Sequence, residues 1–71
     1  NDWKAMPTVG PGVYEIRVHV GPEYRILYVA KFEEAVYVLH AFEKRTQQTR
    51  ETDVTLARRR LAAVVAQRKQ R

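Results

Sequence analysis

Cations and a histidine are clustered in one short stretch of the sequence, residues 36–46. Its first part is rich in β-branched and aromatic residues, as a strand is, and it ends in Lys44, Arg45 and Thr46. A strand that runs directly into exposed cations holds positive charge on a rigid base, which suits a phosphate or another anion. His40 is a candidate for proton transfer within the same stretch. A single histidine near the end of an apolar strand is also often a packing residue, and both interpretations stay open.

Two arginines, Arg17 and Arg25, are expected to lie side by side near that stretch. Residues 13–20 and 24–31 alternate between two faces, which predicts two strands joined by a tight turn. Because paired residues of a hairpin share a face, a register whose paired positions sum to 42 builds one apolar face. That register pairs Tyr14 with Tyr28, Ile16 with Ile26 and Val18 with Tyr24. It also sets Arg17 against Arg25, where two like charges are costly unless an anion lies between them.

Both arginines have a second interpretation that involves no ligand. Each of them can pair with a nearby carboxylate, Glu15 or Glu43, and simply be solvated. Taken alone, the strand pattern is compatible with an anion between the two arginines and with ordinary ion pairs, so this alternative remains open.

The rest of the chain supplies the elements that must position these side chains. Residues 1–71 are long enough for one domain with a marginal core. Residues 1–12 are expected to be a loop, because glycine and proline punctuate them and no period is visible. We expect an antiparallel sheet of three strands or more over residues 13–46 and a helix over residues 50–67. The predicted fold class is therefore α+β, an antiparallel sheet followed by a C-terminal helix.

The predicted helix has one apolar stripe and a basic outer surface. The stripe comprises Val54, Ala57, Leu61, Val64 and Val65. We expect Thr49 to cap the N-terminus of the helix and the chain from Gln67 onward to fray. The triplet Arg58–Arg60 is expected on the solvated surface, with contact to nucleic acid as the alternative. In the N-terminal loop, Trp3 and Met6 are expected to be hydrophobic anchors, with a binding role for Trp3 as the alternative.

Composition and charge restrict the class of partner. The net charge is +5, with −2 over residues 1–43 and +7 over residues 44–71, so nucleic acid or an acidic protein surface is the expected partner. Cysteine is absent, which excludes disulfides and thiolate metal sites and is compatible with a cytoplasmic location. No apolar run of about 18 residues is present, so no membrane span is expected.

The chemistry expected at a cationic site on a sheet follows from what the sequence lacks. It contains no glycine-rich phosphate loop, no pattern of a serine hydrolase, and two histidines that are too few for a typical zinc site, so we expect no metal and no cofactor. Such a site suits RNA cleavage by the 2′-hydroxyl of the RNA itself. The protein must then align the hydroxyl, neutralise the phosphoryl oxygens and move protons. His40 or Lys31 is the candidate for the proton transfer.

An ordered set of short motifs resembles one family. The motifs are Tyr14-Glu15-Ile16-Arg17, Tyr24-Arg25-Ile26-Leu27-Tyr28 and Leu39-His40-Ala41-Phe42-Glu43-Lys44-Arg45-Thr46-Gln47, followed by a helix with Ala57 and Arg58. Over about residues 3–66 the chain resembles the HigB-like, phage-derived branch of the RelE/ParE toxin superfamily. Each motif alone is weak, and their order makes the resemblance fairly specific.

The resemblance implies a small toxin that is neutralised by an antitoxin from the same operon. Many members of this superfamily cut mRNA in the ribosome without a metal. By analogy, Arg25 and Arg17 would bind the scissile phosphate, and Lys44 and Arg45 would hold the RNA backbone or stabilise transition-state charge. Phe42 matches the family aromatic that can stack on a base, and Thr46 belongs to the same RNA-binding set.

Three functions stay open at this point. The first is a ribosome-dependent mRNA endonuclease, the second a ParE-like poison of DNA gyrase, and the third a truncated remnant that only binds antitoxin or nucleic acid. Relatives usually carry about 30 further residues, including a pair of helices, before the segment that matches Trp3. Since the strand at residues 36–42 is apolar on both faces and only one helix is visible, we expect an uncovered sheet face and a possible homo-oligomer.

Overall fold

The chain forms a four-stranded antiparallel sheet followed by one helix in the computed structural model, which describes residues 2–45 and 47–70. The elements are β1 (Trp3–Ala5), β2 (Val13–His19), β3 (Glu23–Val29), β4 (Tyr37–Glu43) and α1 (Glu51–Lys69). The sheet order β1-β2-β3-β4 follows the chain, so each strand pairs with its neighbour in sequence. The predicted α+β class, with an antiparallel sheet before a C-terminal helix, is confirmed.

The register predicted for the central hairpin is also confirmed. Strands β2 and β3 pair Ile16 with Ile26 and Arg17 with Arg25, and Gly21 turns the chain between them with a φ of 98°. That left-handed conformation favours glycine because a Cβ atom would be strained there. The alternation of the two strands therefore placed both arginines correctly on one face.

The prediction of a loop over residues 1–12 is wrong in part, because Trp3–Ala5 forms β1 at the edge of the sheet. It pairs with β2 through Trp3 and Ile16, Lys4 and Glu15, and Ala5 and Tyr14. A three-residue strand is too short to show a period of two, so the sequence carries no visible signal for it. Met6 is buried, as expected of an anchor, whereas Trp3 is 57% exposed and its ring is T-shaped to that of Tyr14, with the centroids 5.5 Å apart.

Helix α1 packs its predicted apolar stripe on the sheet. Val54 and Ala57 are buried in the core, with Leu61 and Val64 packed against it. The sheet side of this core comprises Val13, Leu27, Val29 and Leu39, with Met6 and Val9 from the loop. The core is therefore built on one face of the sheet and closed by a single helix.

Both predicted ends of the helix require correction. Thr49 is not the N-cap, because Arg50 occupies that position without a side-chain capping bond and Thr49 is turned toward the sheet. At the other end the helix continues through Lys69, where fraying was expected from Gln67. Arg68 stabilises this last turn by pairing with Glu34 in the β3–β4 connection.

The helix leaves one face of the sheet open. Tyr14, Ile16, Ile26 and Tyr28 are only half-buried on that face, and Val38 is 64% exposed. Within the described residues α1 is the only helix, and it lies on the opposite face, which Val13, Leu27 and Val29 share with both arginines. The expectation of one covered face and one uncovered face is thus met in this part of the chain.

Candidate functional site

The polar side chains predicted for the site occupy the helix-bearing face of the sheet, beyond the apolar core. Cross-strand pairing places Arg17 next to Arg25 and Arg25 next to Phe42, so these three form one row across β2, β3 and β4. His40 lies two residues before Phe42 in β4, on the same face and opposite Leu27. Lys44 comes directly after the last residue of β4 and bonds to Glu23 of β3 through its backbone. We call Arg17, Arg25, His40, Phe42 and Lys44 the cationic row.

Arg25 is the most deeply buried member of the cationic row. Its side chain is 3% exposed and pairs with Glu15, which is fully buried, at 3.0 Å between Nη1 and Oε1. Of the two arrangements open from the sequence, pairing with Glu15 is present, although the pair is buried where the expectation was a solvated one. The proximity of Arg17 and Arg25 is therefore tolerated because a carboxylate lies beside them.

The same ion pair holds the connection between β4 and α1. Arg25 donates to the Thr49 hydroxyl at 3.3 Å and to the backbone oxygen of Gln47 at 3.4 Å. Thr49 in turn donates to Glu15 Oε2 at 2.6 Å. This explains why Thr49 does not cap the helix. In this arrangement Arg25 orients the loop that carries the exposed cations and faces little solvent itself.

His40 is held between the helix and a neighbouring aromatic ring. Its Nε2 atom lies 2.8 Å from Oδ1 of Asp53 in the first turn of α1, and its ring stacks on Phe42 with centroids 4.9 Å apart. The side chains of His40 and Asp53 are each 14% exposed. The sequence indicated His40 but not its partner Asp53, because the two residues are thirteen positions apart and belong to different elements.

Lys44 of the cationic row and its neighbour Arg45 both pair with carboxylates, and Arg45 is the more exposed of the two. Lys44 pairs with Glu23 at 3.1 Å, and Arg45, whose side chain is 68% exposed, pairs with Glu43 at 3.5 Å. The hydrogen bond from Lys44 is the main cause that lowers the pKa of the Glu23 carboxyl, although partial burial opposes the shift. These two cations, with Glu23 and Gln47, line an open pocket of about 400 Å³.

A second polar pocket lies at the β1 end of the row. It has a volume of about 260 Å³ and is lined by Asp2, Trp3, Lys4, Glu15, Arg17 and Arg25. The pocket wall contains three cations and two carboxylates, and among them Lys4 approaches Glu15 at 3.9 Å. Glu15 Oε1 is buried in this wall against Nη1 of Arg25 at 3.0 Å, whereas Arg25 Nε is turned toward Glu23 at 3.8 Å. The pocket therefore presents both donors and acceptors, with cations in excess.

Two predicted site residues are not brought to the row. Lys31 follows the far end of β3, six residues beyond Arg25 or about 20 Å along a strand, and its ammonium lies 5.3 Å from the Phe32 ring centre. Thr46 lies outside the described residues.

Within the described residues no three histidine or acidic side chains form a group that could hold a metal ion. They also include no helix that is long and apolar enough to cross a bilayer.

The basic triplet of α1 is partly docked on the body of the protein. Arg58 donates to the backbone oxygen of Thr8 at 2.7 Å, and Arg60 donates to that of Leu39 at 2.9 Å. Arg59 is exposed. The expectation of a purely solvated surface therefore holds best for Arg59, while its neighbours fasten the helix to the loop and to β4.

The fold and site define a class of small α+β domains with a row of cations and one histidine on the helix-bearing face of an antiparallel sheet. Residues 1–62 match the family described as phage-derived protein Gp49-like (DUF891), and the chain belongs to that family. Neither the comparison with curated proteins nor that with solved structures gives a match. The phage-derived family that the sequence motifs indicated is thereby confirmed.

Proposed function

We propose that the protein is the toxin of a type II toxin–antitoxin pair and acts as a ribosome-dependent mRNA endonuclease. One observation carries the proposal: His40 is held at 2.8 Å by Asp53 and stacked on Phe42, on the face where Lys44 follows the strand. A histidine with a fixed orientation beside cations is what cleavage by the RNA 2′-hydroxyl requires. Membership of the phage-derived family supports the assignment as a toxin.

The cleavage step divides naturally among the members of the site. His40 takes the proton of the 2′-hydroxyl, whose oxygen attacks the adjacent phosphorus while the bond to the 5′-oxygen breaks, and that oxygen leaves with a proton from solvent or an acid. Lys44, Arg45 and Arg17 neutralise the phosphoryl oxygens, as cations do at transferring phosphoryl groups. The products are a cyclic phosphate and a free 5′-hydroxyl.

Burial assigns different parts to the two arginines of the row. Arg17 is partly exposed and lines the polar pocket, so RNA that enters this pocket can reach its guanidinium. Arg25 contacts a phosphate directly only if the loop at Gln47 and Thr49 moves, because those residues and Glu15 surround its guanidinium. We therefore propose that Arg25 acts first as the support of the loop. Lys31 keeps a part only if RNA reaches the far end of β3.

The test removes exposed charge without disturbing the core. We expect Lys44→Ala combined with Arg45→Ala to lower mRNA cleavage on ribosomes on the order of 10²-fold and to relieve growth inhibition, because the proposed mechanism uses both cations to neutralise the phosphate. Arg59→Ala is the matched control, since it removes the same kind of charge from the exposed surface of α1. Unchanged cleavage by the double variant would overturn the proposal.

The same cells separate the proposed function from its alternatives. DNA supercoiling is measured beside translation and mRNA integrity after induction of the chain. Loss of supercoiling with intact mRNA would point to a gyrase poison. Binding to the antitoxin encoded beside it, without toxicity, would point to an inactive remnant. The partners that we propose are thus a cognate antitoxin and mRNA on the ribosome.

A further inference from the structure

We propose that Asp53 is a positioning residue that keeps neutral His40 in the tautomer with hydrogen on Nε2, which leaves Nδ1 as the atom that accepts the proton. This inference rests on the proposed function for its catalytic part, whereas the tautomer can be observed without any substrate. The sequence offers no motif for the pair, since Asp53 is thirteen residues from His40 and belongs to another element.

Hydrogen-bond chemistry determines the tautomer. An ionised carboxylate only accepts hydrogen bonds, so the 2.8 Å contact between Oδ1 and Nε2 requires hydrogen on Nε2. Asp53 lies in the first turn of α1, where the helix dipole favours negative charge. The part of the chain that the structure describes gives Nδ1 of His40 no hydrogen-bond partner. In neutral His40 this atom has a free lone pair and can act as a base.

Two further contacts restrict the orientation of the imidazole. Phe42 stacks on the ring, with an angle of 21° between the planes, so the ring cannot turn freely about its long axis. Arg60 donates to the backbone oxygen of Leu39 at 2.9 Å, which fastens the strand before His40 to the helix that carries Asp53. Histidine and carboxylate are therefore held in position by the stacked ring and by the bond from the Arg60 side chain to β4, as well as by their own bond.

A simple structural role is the competing explanation. The pair also joins β4 to α1, so its loss would weaken the packing of the helix even if His40 did no chemistry. The other oxygen of Asp53, Oδ2, is buried and makes no hydrogen bond within the described residues, and Arg50 Nε lies 3.8 Å from it. A purely structural pair would affect stability, while a positioning pair also affects the tautomer and the cleavage step.

The first measurement is the nitrogen NMR spectrum of His40 in the intact chain, recorded at a pH at which the imidazole is neutral. We expect the Nε2–H pattern in the native protein and a shift toward Nδ1–H in Asp53→Asn, whose amide can donate to Nε2. Asp53→Glu should restore the native pattern at least in part. An Nδ1–H pattern in the native protein would overturn the inference.

The second measurement is single-turnover cleavage of mRNA on ribosomes. We expect Asp53→Asn to lower the rate on the order of 10²-fold at saturating protein and to have no further effect when His40 is already alanine, because the two residues act as a unit. Glu51→Gln is the control, since it removes an exposed carboxylate from the same turn. Equal loss in the presence and absence of His40, or in the control, would contradict the positioning role.

The two measurements distinguish the two levels of the argument. If the native chain cuts no RNA while His40 shows the Nε2–H tautomer, the proposed function fails and the orientation of His40 by Asp53 is upheld. If the native chain cuts RNA and Asp53→Asn cuts it equally well, the function stands and the positioning role fails.

Discussion

Arg25 and Glu15 are buried together in a protein with a small core. Their pairing satisfies most of the desolvation cost of each charge, and Thr49 uses a remaining lone pair of the carboxylate. Removal of one partner alone would leave an uncompensated charge between the sheet and the loop. At this scale the arginine is a structural residue of the site as well as a candidate for contact with phosphate.

We expect Arg25→Met to lower the free energy of unfolding by about 3–5 kcal/mol, because Glu15 would remain buried without its partner. Glu15→Leu combined with Arg25→Met should lose clearly less than the sum of the two single variants, since no charge is then left inside. Urea denaturation of the three variants is the measurement. Additive losses would show that the pair is not coupled.

The folded double variant also isolates the catalytic part of Arg25. If cleavage persists in it, the arginine serves to hold the loop, and direct contact with phosphate is excluded. Loss of cleavage in a stable double variant would support that contact. The Arg59→Ala variant again provides a charge control outside the row.

Polar contacts hold helix α1 to the sheet near both of its ends, and few of its residues are buried between them. Near its N-terminus Asp53 contacts His40, and at its C-terminus Arg68 pairs with Glu34 and lies 3.9 Å over the ring centre of Phe32. Only Val54 and Ala57 are fully buried between these points. The polar contacts at both ends thus supplement a short apolar interface, and the first of them belongs to the candidate site.

The contact between Arg68 and Glu34 makes stability depend on pH. The hydrogen bond from Arg68, followed by a backbone bond and one from Tyr37, lowers the pKa of Glu34 to about 2 from an ordinary 4.5. A lowered pKa in the folded state means that this contribution is fully present above about pH 4.5 and is lost as the pH falls toward about 2. Glu34→Gln should therefore be less stable than the native chain at pH 7, with a difference that narrows below about pH 4.5.

Thermal unfolding of both proteins at pH 7, 4 and 3 measures this difference. Glu33→Gln is the control, because it removes an exposed carboxylate from the adjacent position of the same turn. A gap between the native protein and Glu34→Gln that stays constant from pH 7 to 3 would contradict the assignment.

On the scale of the whole molecule, the sheet has two different faces. One carries the core, the helix and the cationic row, while the other exposes apolar side chains such as Tyr24 and Val38. An apolar face of this kind favours association, since water is released when two such surfaces meet. Because the cationic row and the exposed apolar side chains lie on opposite faces of the sheet, association through the apolar face leaves the candidate site accessible.

We expect the isolated chain to associate as its concentration rises and Val38→Lys to raise the concentration needed on the order of tenfold, which corresponds to about 1.4 kcal/mol. Val38 is 64% exposed, so the lysine should leave the core intact. Light scattering over a dilution series is the measurement. Thr55→Lys, at an exposed position of α1, adds the same charge elsewhere and serves as control. Equal effects of the two variants would show that net charge, and not this face, governs association.

Local pattern alone determined much of the architecture. Alternation over residues 13–20 and 24–31 placed Arg17 and Arg25 together on one face, and helical spacing identified the stripe around Ala57. These predictions succeeded because a strand repeats every two residues and a helix every 3.6, and both periods are visible in the sequence. Strand β1 was not predicted, because three residues are too few to show a period of two.

Only the tertiary structure decided which polar groups meet. Thr49 donates a hydrogen bond to Glu15, 34 residues earlier in the chain, and Asp53 of α1 contacts His40 of β4. Lys31, in contrast, lies beyond the far end of β3 and away from the site. Such contacts depend on how the helix packs across the sheet and on the path of the loop before it, neither of which has a local period. The sequence therefore identified the charged residues of the site, and packing determined whether each one faces solvent, supports the loop or orients the histidine.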